Sequence, residues 1–161
     1  MTTALLPSPK DVRDMLEGLL GRDVEVGPGE PVTPTAGDWA AVGVYVEDNL
    51  SLSAAIVADV PLAAYAGAAL GLLPPGGAQD AVGLGVVDGA MWENFAELLS
   101  IAISLLNHDG VPHVRLYATH APGELPDADV LELVRSFGRR LDLTVNVAGY
   151  GSGRLSIVRR P

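Results

Sequence analysis

Val12, Met15, Leu16, Leu19 and Leu20 recur at helical spacing, so Pro9 to Leu20 is expected to form a short amphipathic helix, started by Ser8 or Pro9 and ended by Gly21. A short strand follows at Val24 to Val26, then a Gly- and Pro-rich loop from Gly27 to Gly37. Trp39 to Val46 and Leu50 to Ala58 alternate with period two, and the polar Glu47-Asp48-Asn49 between them predicts a hairpin. Asp59 and Pro61 form a helix start, followed by an Ala-rich helix from Leu62 to Leu73 that Pro74-Pro75-Gly76-Gly77 stops. Beyond a second glycine-containing stretch, Asp88 is placed to cap a long helix reaching about Asn107. Val111 to Thr119 reads as a strand, and Asp127 to about Arg140 as a helix with Val130, Leu131, Val134 and Phe137 on its inner side. Leu143 to Ala148 and Arg154 to Arg159 form a last hairpin across Gly149-Tyr-Gly-Ser-Gly153. The order αβββααβαββ, with its adjacent hairpins, predicts an α+β fold: a largely antiparallel sheet covered by helices.

Composition sharpens this picture. With 161 residues and 48% hydrophobic positions, the chain is expected to be a single domain spanning 1–161 with one apolar core. Aromatic residues are only 5%, so that core must rest on Ala, Val, Leu and Ile. The absence of cysteine excludes a disulfide framework, a thiolate nucleophile and Cys-based metal sites. Met1 to Lys10 has no basic region of signal-peptide type, and the longest uncharged stretch, Val60 to Gln79, is interrupted by Pro61, Pro74, Pro75, Gly76 and Gly77. A cytoplasmic soluble protein is expected.

The net charge is −10, and its layout matters more than its size. Every charged residue from Asp23 to Asp109 is an acid, whereas Arg115, Arg135, Arg139, Arg140, Arg154, Arg159 and Arg160 fall in the last third. A surface built from the middle segment repels nucleic acid and anionic membrane, which leaves a basic protein face or a cation as the expected partner class.

Three glycine- or histidine-bearing segments invite chemical readings. Gly83-Leu-Gly85-Val-Val-Asp-Gly89 is spaced GxGxxxG, lacks a βαβ setting and places Asp88 where a pyrophosphate would sit, so it reads as a loop entering a helix. Ser152 in Gly149-Tyr-Gly-Ser-Gly153 lacks the register of a nucleophile elbow and reads as a turn residue. His108, Asp109, His113 and His120 lie close in sequence but have no HExxH or facial-triad spacing. No metal site and no cofactor are expected.

The long helix carries the most information. Met91, Phe95, Leu98, Ala102 and Leu105 form an apolar stripe that Trp92, Leu99, Ile103 and Leu106 widen. Glu93, Glu97, Ser100, Ser104 and Asn107 follow steps of 4, 3, 4 and 3 and line the opposite side, with Asn94 beside them. Such a stripe is either a solvated helix back or a face that offers carboxylates and amides to a docking partner.

With the hairpin that runs into "LSAAIVADVPLAAYAGAALG", the helix "DGAMWENFAELLSIAISLLN", a strand after Pro112 and a closing hairpin, the chain resembles the CheX/CheC family of chemotaxis phosphatases and their flagellar-switch relatives. The resemblance spans most of the length. It implies an E-x-x-N motif on the long helix, whose acid pairs with a lysine of a phosphorylated response regulator and whose amide orients the attacking water. With Glu93 on the acid, Ala96 stands where the amide is expected and Ser100 where glycine is expected, so the motif is degenerate. The resemblance implies a signalling domain that binds a response-regulator receiver domain through Glu93, Asn94, Glu97 and Ser100, with weak or no phosphatase activity. Two alternatives stand beside it: an active aspartyl-phosphate phosphatase with Glu93 and Asn94 as catalytic residues and the regulator's own magnesium, and a non-catalytic structural module like the switch proteins. A homodimer formed through an open sheet edge is also expected.

Overall fold

A computed structural model describes residues 6–137 and 139–161. Helix α1 (Pro9–Leu20) has the expected limits, because both of its ends are chemically fixed. Ser8 and Asp11 exchange side-chain-to-backbone hydrogen bonds at 3.0 and 3.1 Å, and Gly21 closes the helix in a left-handed conformation with φ of 66°. Strands β1 (Val24–Pro28), β2 (Ala40–Val46) and β3 (Leu52–Asp59) follow. Then come helices α2 (Val60–Leu70), α3 (Pro75–Leu84) and α4 (Gly89–Ile101), a 3₁₀ turn over Ala102–Leu105, strand β4 (Arg115–His120), helix α5 (Ala128–Val134) and the hairpin β5 (Arg139–Val147) with β6 (Gly151–Arg159).

The strands form one six-stranded sheet in the order β1-β5-β6-β3-β2-β4, and every neighbouring pair is antiparallel. The α+β fold with an antiparallel sheet under helices is therefore present. One sheet face carries the larger core, where Val12 and Leu16 of α1, Leu62 of α2 and Phe95, Leu98 and Leu99 of α4 meet Ile56 and Ile157. On the other face, Val130, Leu133 and Val134 of α5 close over Val42, Val44, Val57 and Val158. Cover on both sides explains why every residue of β2 is buried.

Several elements depart from the sequence expectation. Pro74-Pro75-Gly76-Gly77 does end α2, but Pro75 also occupies the first position of an additional helix, α3, which buries Ala78 and ends at Gly85. The long helix stops at Ile101 rather than Asn107. It tightens into the 3₁₀ turn where the buried Tyr45 hydroxyl donates to the Leu99 carbonyl at 2.6 Å. Strand β4 begins at Arg115 because Asn107 clamps Val114 before it: the Asn107 amide donates to the Val114 carbonyl and accepts from its N–H, both at 2.8 Å. Helix α5 covers only half of the predicted range. Arg140 takes the carbonyls of Val134 and Ser136 at 3.0 and 2.7 Å and so terminates it, which leaves Phe137 fully exposed instead of inward-facing and Leu133 buried in its place.

Candidate functional site

Helix α4 is positioned by a close approach to α2. A side chain on Gly67 would run into the backbone carbonyl of Met91, so only glycine lets the two helices lie this near. Asn94 seals the contact from the other helix by donating its amide to the Gly67 carbonyl at 3.0 Å. Phe95, Leu98 and Leu99 are buried beneath, and Trp92 stands against Phe95 with ring centroids 6.3 Å apart. Tyr45 ties down the far end. Burial pushes its hydroxyl well above the ordinary tyrosine range, so it remains a protonated donor to Leu99.

This anchoring leaves one face of α4 outward. Glu93, Glu97 and Ser100 are all exposed, and among the described residues neither carboxylate is engaged in an ion pair or a hydrogen bond with another part of the chain. Asn94, expected in the same group, is half-buried and turned toward α2. Ala96, which takes the amide position in the register that starts at Glu93, is half-buried and has no polar side-chain atom. Of the longer polar stripe, Ser104 is exposed, whereas Asn107 is used up in its clamp on Val114. Ser104 also lines an open cleft of about 480 Å³ with Asp11, Asp14, Met15, Leu105 and His108. On the α1 side of that cleft Asp14 is paired with Lys10 at 2.6 Å and Arg13 at 3.3 Å. Hydrogen bonds from Ser8 hold the Asp11 carboxyl below its usual range and those from Lys10 do the same for Asp14, so both are anionic at neutral pH.

The remaining sequence candidates are dispersed. His108 and His113 are exposed in the loop before β4, while His120 ends β4 with its Nδ1 3.8 Å from Glu124 Oε1. Among the described residues no group of three or more His, Cys, Asp or Glu side chains is placed to hold a metal ion. Gly85 is the left-handed cap of α3, and Asp88 occupies the cap position of α4 without a side-chain hydrogen bond. Ser152 is not a turn residue as expected: it lies in β6 opposite Asn146, because the turn is confined to residues 148–150, and its hydroxyl donates to Asn146 Oδ1 at 2.9 Å. Sequence reasoning missed Gly67 and Tyr45, the residues that seat α4. The available signal for Gly67 was a lone glycine in an Ala-rich helix; nothing local marks Tyr45.

No family model matches the sequence, and a search of curated proteins finds no match. Solved structures do resemble it. The FliM middle domain from H. pylori aligns with a TM-score of 0.51 at 10% identity, covering 94% of this chain and 84% of that one. The fold is shared with that domain. A crystal structure of the FliM–SpeE complex from H. pylori gives 0.51 at 8% identity, covering 94% and 80%. The CheX–CheY–BeF₃ complex from Borrelia burgdorferi aligns at 0.45 with 10% identity and 92% coverage of both chains. The expected likeness is thereby met, as a likeness of fold alone, by the FliM middle domain. No helix among the described residues is long and apolar enough to cross a membrane.

Proposed function

We propose that this chain is a cytoplasmic signalling domain that docks a response-regulator receiver domain on the exposed face of α4 and accelerates its dephosphorylation weakly or not at all. The observation that carries the reading is a division of labour along one helix turn. Glu93 and Glu97 are exposed and uncommitted, whereas the Asn94 amide is spent on the Gly67 carbonyl and Ala96 has nothing with which to orient a water. Carboxylates available for a partner's lysine suit docking; a missing amide removes the positioning on which hydrolysis depends, an effect of ~10²-fold or more.

The test uses a receiver domain from the same organism, held in its active state by beryllofluoride for binding and phosphorylated for turnover. Wild type should bind and leave the rate of phosphate release nearly unchanged, and Glu93→Lys should weaken binding by about tenfold or more. Ala96→Asn should raise the rate. Rapid turnover by wild type that disappears in Asn94→Ala would establish the active phosphatase instead. No binding to any receiver of that organism would remove the docking reading altogether.

A structural or assembly role is the second reading, favoured by the alignment with FliM, one structure of which is a complex with SpeE. It is distinguished by co-purification with large assemblies that does not depend on receiver phosphorylation. Association of two copies along the outer edge of β4, where Tyr117 is 63% exposed, belongs to either reading. Light scattering at high micromolar concentration decides it, since a monomer there excludes the dimer.

A further inference from the structure

On the sheet face away from α4, a groove of about 240 Å³ lies between strand β4, the β2–β3 turn and helix α5, lined by Val44, Leu50, Tyr117, His120, Asp129 and Val130 among others. We propose that this groove docks a partner protein, taking from it an apolar side chain flanked by lysine or arginine. Small-molecule pockets generally run to ~300–1,000 Å³ and enclose their ligand, whereas this groove is smaller and open beside the edge strand β4, so it suits a side chain presented on a surface. Two departures from regular backbone display its apolar walls. Tyr117 is the extra residue in the β2–β4 ladder, where Val44 pairs with Ala118 but Tyr45 with Leu116, and this bulge leaves it 63% exposed. Leu50 closes the β2–β3 turn by donating its N–H to the Glu47 carbonyl at 2.8 Å, with φ of 67°, a left-handed position that glycine or asparagine occupies at less cost. It is nonetheless 57% exposed, while Val44, Val46 and Val130 in the same groove are buried.

Charge selects the partner. Asp127 and Asp129 on the rim are exposed; the first makes no side-chain capping bond, and the second accepts only from the Val130 N–H at 2.9 Å. Among the described residues neither is in an ion pair. No lysine or arginine lines the groove, and His120, its one basic side chain, has Nδ1 3.8 Å from Glu124 Oε1. Bases nearby do not cancel the two acids. Arg160, in the adjoining cleft that shares Asp129, donates to the Leu52 carbonyl at 3.2 Å, and Arg115, opposite Val46, lies outside the lining. An anionic rim over an apolar floor favours a cationic surface with an apolar tip. Nucleic acid, an anionic membrane and a second copy of this chain, itself at −10, are all repelled by it. Because the groove and the outer face of α4 lie on opposite sides of the sheet, the two can be occupied independently.

Selection of short random peptides displayed on phage against the whole protein, with the double variant Leu50→Asn/Tyr117→Ser as counter-target, tests the proposal. Enriched peptides should combine leucine, isoleucine or an aromatic residue with lysine or arginine. The most enriched one, synthesised, should give saturable backbone NMR shifts at Val44, Tyr117 and Val130. Its affinity should fall about tenfold in either single variant and roughly threefold in Asp129→Asn, and should weaken as salt is raised. Without peptide, Leu50→Asn should unfold at the same or a higher temperature, because asparagine adopts the left-handed conformation more readily. A clearly lower temperature would make Leu50 part of the fold and overturn its assignment to a partner. Enrichment of acidic peptides, no enrichment over the counter-target, or shifts confined to the α4 face would likewise overturn the proposal. Self-association that masks Tyr117 and blocks every peptide would make a second copy the occupant, which also overturns it.

Discussion

The polar residues of α4 and those around Asp142 are comparable in chemistry and opposite in use. On α4, Glu93 and Glu97 stand in solvent with no internal partner among the described residues. Around Asp142 every polar group is engaged. Arg140 grips the carboxylate through Nε and Nη2 at 2.9 to 3.2 Å, Ser156 donates to it at 2.6 Å, and the same serine oxygen accepts from the Val32 N–H at 2.9 Å. Because Arg140 also terminates α5, this relay fastens the long loop before β2, the C-terminal hairpin and the lower helix to one another. Side chains with partners specify the fold, while those without are free to meet something else.

The comparison can be broken in four places. The largest effect is expected at the seat of α4, where Gly67→Ala forces α2 and α4 apart and should cost about 3 kcal/mol in urea unfolding. A loss below about 1 kcal/mol would show that the helices shift easily and that α4 is not rigidly presented. Next, Asp142→Ala strands Arg140 and Ser156 and should cost about 2–3 kcal/mol.

The Asp142 relay also has a pH signature. Burial alone would raise the Asp142 carboxyl, but the hydrogen bonds from Arg140 and Ser156 and the charge of Arg140 outweigh it and hold the carboxyl below its ordinary value. The group therefore binds its proton less tightly folded than unfolded. Its contribution is fully present above about pH 4 and is lost as the pH falls through the lowered folded value. The stability gap between wild type and Asp142→Asn should accordingly shrink on acidification below about pH 4, as read by denaturant titration at successive pH values.

Smaller effects should follow on α4. Asn94→Ala removes one partly buried hydrogen bond and should cost about 1 kcal/mol. A neutral outcome would free that amide for another role. The smallest change is expected at Glu97→Gln, which relieves a like-charge pair four residues from Glu93 and should stabilise by a few tenths of a kcal/mol, visible as a slightly higher melting temperature. Were it clearly destabilising, the acidic face would be part of the fold rather than set apart from it.

Elements whose ends are chemically marked were legible in the sequence. Helix α1, with Ser8 before it and Gly21 behind it, and the β2–β3 hairpin around Glu47-Asp48-Asn49 fall where the pattern put them. Elements ended by distant residues were not legible: α5 stops because Arg140 reaches back to its carbonyls, and α4 tightens where Tyr45, far earlier in the chain, bonds to Leu99. Helix α3 was hidden because two prolines and two glycines signal a stop and a start with the same letters. For the candidate site, periodicity identified which side of α4 carries Glu93, Glu97 and Ser100. It did not reveal that Asn94, one step off that stripe, would be turned to a backbone carbonyl on α2, since nothing local encodes how near α2 comes.

The sheet order also sets a timetable for synthesis. Strand β6 lies between β5 and β3, and β1 pairs only with β5, so β1 and the central hairpin are joined solely through β5 and β6, more than 75 residues further along the chain. While the chain emerges at about 5–20 residues per second, the β2–β3 hairpin forms from neighbouring sequence, but Val24 has to wait for Val147. Until then the inner edge of β3, an apolar run from Ala54 to Ala58, stays open to any other nascent strand. The interval before β5 and β6 emerge is therefore the period in which this fold is most open to mispairing.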